Sequence, residues 1–145
     1  MKILVIDDER SIRNLMQEIL EDEGHSVDVA EDGAKGVEMA DKEKYDVIFC
    51  DIKMPNLSGE EVLDTLHEKG IETPVIMISG HGDIDTAVSC IKKGAFDFLS
   101  KPLDLNRILI TIKNATERSN LIQETKVLKK KVYGQEMIGE SEAIM

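Results

Sequence analysis

The chain has 145 residues, enough for one domain and an appendage. Hydrophobic residues make up 41% of it, aromatics only 3%, and Trp is absent, so a core has to be built from aliphatic side chains. A formal net charge of -11 argues against contact with nucleic acid or an anionic membrane by this segment, because phosphate groups are held by Lys and Arg.

The first strand is read at Ile3 to Ile6, a continuous apolar run of the kind that suits a strand buried on both faces of a parallel sheet. Asp7 and Asp8 interrupt the run, so it is not read as a signal peptide. Ile12, Leu15, Met16, Ile19 and Leu20 then recur at helical spacing, and Gly24 stands where that helix should stop. Val27 to Ala30 reads as the second strand and Val37 with Met39-Ala40 as the second helix. Val47 to Cys50 is the third strand. Ser58, ahead of Glu60 and Glu61, marks the start of a third helix carrying Val62, Leu63 and Leu66, with Gly70 as its stop. Pro74 opens the fourth strand, Val75 to Ile78, then Ala87-Val88 with Ile91 mark helix four and Phe96 to Leu99 strand five. The apolar runs are far too short to span a bilayer. Cys50 and Cys90 are too few and too scattered for a disulfide framework or a zinc site and read as buried thiols. These features predict a cytoplasmic protein that does not engage a membrane.

After Pro102 the spacing predicts one long helix from about residue 104 to 132, free of Gly and Pro. Leu105, Ile108, Ile112 and Ala115 fit the face of a domain, whereas Leu121, Leu128 and Val132 continue with a shifted phase. Residues 1–120 are therefore read as a domain, and 121–134 as a linker helix continuous with helix five and able to pair with a copy of itself. A solvated tail remains the other reading of that segment. Residues 135–145 carry no pattern of their own. Five strands alternating with five helices imply a doubly wound α/β domain with right-handed crossovers.

The polar residues gather at strand ends. Asp7-Asp8-Glu9 follow strand one, Asp51 follows strand three, Ser79-Gly80 strand four and Ser100-Lys101-Pro102 strand five. The carboxyl edge of an open α/β sheet is where ligands bind. Three carboxylates in one cleft repel one another, and a hard divalent cation such as magnesium removes the conflict. Lys101 adds a positive charge for a phosphoryl oxygen and Ser79 a hydroxyl for another. A nucleophilic carboxylate, a metal, a cation and a hydroxyl donor are the parts that phosphoryl transfer needs.

On Val5-Ile6-Asp7-Asp8-Glu9, Asp51-Ile52-Lys53-Met54-Pro55, Ser58-Gly59, Ile78-Ser79-Gly80, Gly94-Ala95 and Lys101-Pro102, residues 1 to about 120 resemble the receiver domain of two-component response regulators. The resemblance implies a flavodoxin-like sheet of order 2-1-3-4-5. It implies that Asp51 is phosphorylated from a phosphohistidine on a sensor histidine kinase. It also implies that Asp8, Asp51 and the Lys53 backbone carbonyl ligate magnesium directly, with Asp7 acting through water. Lys101, next to a cis peptide to Pro102, would pair with the phosphoryl group, and Ser79 and Phe98 would form the switch. Such a domain regulates rather than acting as an enzyme, catalysing only its own phosphorylation and dephosphorylation. Lys53 and His81, two residues beyond Asp51 and Ser79, are expected to tune the lifetime of the phosphoryl group.

Ser79-Gly80-His81-Gly82-Asp83 resembles receivers of the nitrogen-regulation type, found in sigma-54-dependent transcription activators. Met137-Ile138-Gly139-Glu140-Ser141 resembles the first residues of the ATPase domain of those activators. This implies a homodimer through helix four, strand five, helix five and the linker helix, with ATPase and DNA-binding domains further along a longer chain. A receiver acting alone as a shuttle is the alternative. A phosphohydrolase with an aspartyl nucleophile looks for an acid two residues after it, where Lys53 stands. A flavin or nucleotide module of similar topology wants a phosphate-cradling loop in place of Asp7-Asp8-Glu9.

Overall fold

Strand and helix alternate along the chain because continuous apolar runs alternate with amphipathic ones. The computed structural model describes residues 1–80 and 82–117. Its elements are β1 (Lys2–Ile6), α1 (Arg10–Asp22), β2 (Ser26–Ala30), α2 (Gly33–Lys42), β3 (Val47–Asp51), α3 (Gly59–Glu68), β4 (Val75–Ser79), α4 (Ile84–Lys92) and β5 (Asp97–Ser100). A fifth helix, α5, follows over residues 105–117. The linker helix expected at 121–134, the segment 135–145 and His81 lie outside the described residues.

The strands form one parallel sheet of order β2-β1-β3-β4-β5, as expected. Side chains alternate across it, so each strand feeds both layers. Leu4, Ile6, Ile48, Cys50, Val75 and Met77 face the layer that holds Val37, Leu63, Leu66, Ala87 and Cys90 from α2, α3 and α4. Ile3, Val5, Val47, Phe49, Ile76 and Ile78 face Met16, Leu20, Ile108, Ile112 and Ala115 from α1 and α5. Phe49, at the centre of the second layer, is completely buried. Burying such a side chain contributes roughly 1.5–3 kcal/mol. Both cysteines are free and buried, and burial pushes their thiols up, that of Cys90 to about 11.

The helix signals hold where local chemistry sets them. Ser58 and Glu61 form a reciprocal capping box at the start of α3. Gly24 and Gly70, just beyond α1 and α3, take φ of +90° and +75°, a region open to glycine. The apolar stripes are narrower than the spacing predicts. Leu15 on α1 is exposed because Met16 and Leu20 occupy the contact line with the sheet. On α4 the small residues Ala87 and Cys90 lie against the sheet, while Ile84, Val88 and Ile91 form a separate outer stripe with Val88 43% exposed. No described helix is long and apolar enough to cross a membrane.

Candidate functional site

The carboxyl ends of β1, β3, β4 and β5 meet at one edge because parallel pairing fixes their register. Asp51 pairs with Ile78, and Ser79 with Ser100, so both polar residues are the last rungs of their strands rather than loop residues. Asp7 follows β1 directly, held by its N–H to the Ala30 carbonyl at 3.1 Å.

One carboxylate oxygen from each of Asp7, Asp8 and Asp51 lies within 4.8 Å of the others. Asp7 and Asp51 are buried, Asp8 is exposed. Burial and the neighbouring Asp7 carboxylate push the Asp51 carboxyl up to about 7, with Lys101 pulling the other way. Asp7 is also raised, mainly by burial, although it accepts the Glu9 N–H at 2.8 Å. Its other oxygen, Oδ2, is the one buried side-chain oxygen among the described residues that lacks a hydrogen-bond partner. A buried acceptor left open beside two more carboxylates suits a hard cation or the water such a cation keeps.

Lys101 reaches this cluster from β5, with Nζ 3.8 Å from Asp51 Oδ1 and 2.9 Å from Glu9 Oε1. Burial by itself would lower the ammonium, but Glu9, Asp51 and Asp7 together outweigh it and raise the group. The Lys101–Pro102 peptide is cis. Ser79 is fully buried, and its hydroxyl donates to the Gly80 carbonyl at 3.3 Å. Phe98 is half-buried and packs against the layer that contains α4. Lys53 is exposed, and its ammonium turns to Asp83 at 3.2 Å. The fit of α3 against this edge is close. Gly59 donates its N–H to the Ile52 carbonyl at 2.8 Å, and a Cβ there would run into the Asp51 carbonyl oxygen.

The structure thus brings Asp7, Asp8, Asp51, Lys101 and Ser79 to one edge, with Lys53 at its rim and Phe98 behind it. Three neighbours escape the sequence reading. Glu9 is the partner of Lys101, Arg13 on the first turn of α1 donates to the Asp7 carbonyl at 2.9 Å, and Asp83 is a buried carboxylate. Arg13 follows Asp7 at a spacing that places it on the face of α1 nearest the site. Nothing in the local pattern separates Asp83 from an ordinary helix cap.

The response regulator receiver domain profile matches residues 3–113. The chain is 40% identical to the nitrogen assimilation regulatory protein NtrX of Azorhizobium caulinodans, over 98% of this chain and 32% of that protein. It is 34% identical to the C4-dicarboxylate transport transcriptional regulatory protein DctD of Pseudomonas aeruginosa, over 88% of this chain and 28% of that one. The crystal structure of NtrX from Brucella abortus superposes with a TM-score of 0.85 at 39% identity, covering 98% of this chain and 32% of that one. The chain therefore spans about a third of the length of these relatives. It belongs to the response regulator receiver domain family.

Proposed function

We propose that this receiver takes a phosphoryl group on Asp51 from a phosphohistidine of a sensor histidine kinase, and that the added charge alters the surface formed by α4, β5 and α5. The observation that carries the reading is the position of Asp51: a buried carboxylate at the end of β3, grouped with Asp7 and Asp8 and 3.8 Å from Lys101. An oxygen of Asp51 attacks phosphorus. The bond from phosphorus to the imidazole nitrogen breaks, its electron pair stays with the imidazole, and a mixed anhydride forms on Asp51.

The residues available to hold magnesium are Asp7, Asp8, Asp51 and the backbone carbonyl of Lys53. When bound, the ion supplies the positive charge that lets the crowded carboxylates ionise together and that offsets the incoming phosphoryl oxygens. Lys101 leaves Glu9 to pair with one of those oxygens. Ser79 turns its hydroxyl from the Gly80 carbonyl toward another, and Phe98 follows into the space vacated. A receiver of this kind is an equilibrium of two states, and the phosphoryl group favours one of them. Lys53 and His81 tune the lifetime of the group by governing access of water.

The output surface is supported by the outer stripe Ile84, Val88 and Ile91 of α4 and by exposed Leu105 and Ile110 of α5. This face pairs with a second copy of the chain, and the linker helix extends that pairing. The greater length of the relatives supports further domains on a longer chain, an ATPase and a DNA-binding domain of a sigma-54-dependent activator. Such a protein works in the cytoplasm.

Replacing Asp51 with Asn is expected to abolish labelling by a small-molecule phosphodonor in magnesium. Undiminished labelling of that variant overturns the assignment. Light scattering with and without beryllofluoride and magnesium tests the output surface, where a change of molar mass is expected and an unchanged mass contradicts it.

A further inference from the structure

Asp83 is the residue just before α4, where an Asp ordinarily accepts a backbone N–H of its own helix. Here its side chain makes no cap bond. It faces back instead. Oδ2 accepts the Gly80 N–H at 3.1 Å, and Oδ1 lies 3.2 Å from the Lys53 ammonium. Only 4% of the residue is exposed, so a buried charge ties the loop after β3 to the turn after β4. Gly80 leaves room for it, since a Cβ at that position would sit 3.1 Å from Asp83 Oδ2.

The same turn carries the hydroxyl of Ser79, which is engaged with the Gly80 carbonyl. Both polar groups of Gly80 are thus occupied in the resting arrangement: its N–H donates to the Asp83 carboxylate, and its carbonyl accepts from the Ser79 hydroxyl and from the Asp83 N–H at 3.3 Å. We infer that Asp83 is a positioning residue with two alternative partners: it clamps Gly80 and Lys53 at rest, and it caps α4 once the Ser79–Gly80 turn moves. This inference rests on the phosphoacceptor reading of the site. The two uses compete for the orientation of one side chain: with Oδ2 on the Gly80 N–H and Oδ1 toward Lys53 it makes no cap bond, and turning it to the cap strengthens the start of the helix that bears the exposed apolar stripe.

The clamp opposes the phosphorylated arrangement, so loosening it favours that arrangement. Asp83→Asn keeps an acceptor for Gly80 and for the helix but loses the charge that holds Lys53. Lys53→Met removes the same ion pair from its exposed end. With beryllofluoride and magnesium as the probe, each variant is expected to bind about threefold or more tightly than wild type. The double variant is expected to bind no more tightly than the better single one, because the two changes remove one interaction. Singles that match or fall below wild type, or effects that multiply in the double, overturn the clamp. A merely structural Asp83 would weaken binding on substitution and would not be mirrored by Lys53→Met.

In the resting protein, the Gly80 amide is expected to exchange about tenfold faster in Asp83→Ala than in wild type. Unchanged exchange also overturns the clamp. If wild type binds no beryllofluoride while the Gly80 exchange accelerates as expected, the phosphoacceptor reading falls and the clamp stands.

Discussion

Two clusters of charge lie within this small domain and behave in opposite ways. On the surface, Lys93 at the end of α4 sits 3.1 Å from both Glu60 and Asp64 of α3, and the Ser89 hydroxyl donates to Glu60 at 3.0 Å. There the Lys93 and Ser89 hydrogen bonds hold Glu60 below its usual value, and each partner favours the charged form of the other. At the carboxyl edge, three carboxylates face one half-buried ammonium, and burial with the neighbouring Asp7 carboxylate drives Asp51 up to about 7. The same residue types make a satisfied ion network in one place and an unsatisfied one in the other. The difference is burial and stoichiometry, and it marks the edge site as a place awaiting positive charge.

The largest effect expected from this contrast is on the response to phosphoryl analogues. Lys101→Ala should weaken beryllofluoride binding about tenfold or more, because it removes the cation nearest Asp51. Titration by calorimetry checks it, and wild-type affinity would erase the distinction between the two clusters. Next comes the fold that holds the edge together. Phe49→Ala should destabilise the domain by about 3–5 kcal/mol in chemical denaturation, the cost of a cavity in the layer under β3.

The pH dependence sharpens the comparison further. Asp51 ordinarily titrates near 3.8 and in the fold near 7, so between these values the folded state binds more protons than the unfolded one. Stability from this group is therefore present at low pH and lost as pH rises through that window. Without divalent cations, the denaturation midpoint should fall from about pH 4 to about pH 7 and level off above that, and Asp51→Asn or millimolar magnesium should flatten the slope. The surface cluster should give the smallest effect. Lys93→Ala should leave the denaturation midpoint nearly unchanged, since exposed pairs are screened by solvent.

Much of this was legible in the chain itself, for reasons that differ from residue to residue. The strands were readable because a sheet buried on both faces demands unbroken apolar runs. Apolarity alone ends β3 at Cys50 and β4 at Ile78, one residue short, because Asp51 and Ser79 are polar and yet pair in the sheet. The edge residues were readable as a group because parallel topology sends every strand end to one side. Glu9 and Asp83 were not assigned, since their partners Lys101 and Lys53 lie far from them in sequence and a local pattern cannot show a contact between loops. The outer stripe of α4 is hard to separate from its inner one in sequence, because Val88 directly follows Ala87 and apolarity does not tell which of two adjacent faces meets the sheet.

Which carboxylate carries the phosphoryl group decides the function proposed for this edge. Treating the phosphodonor-labelled protein with borohydride converts an acyl phosphate to the alcohol, and peptide mass spectrometry then locates it. Homoserine at position 51, absent when magnesium is withheld, is the predicted result. Reduction at Asp7 or Asp8 instead, or none anywhere after verified labelling, would contradict it.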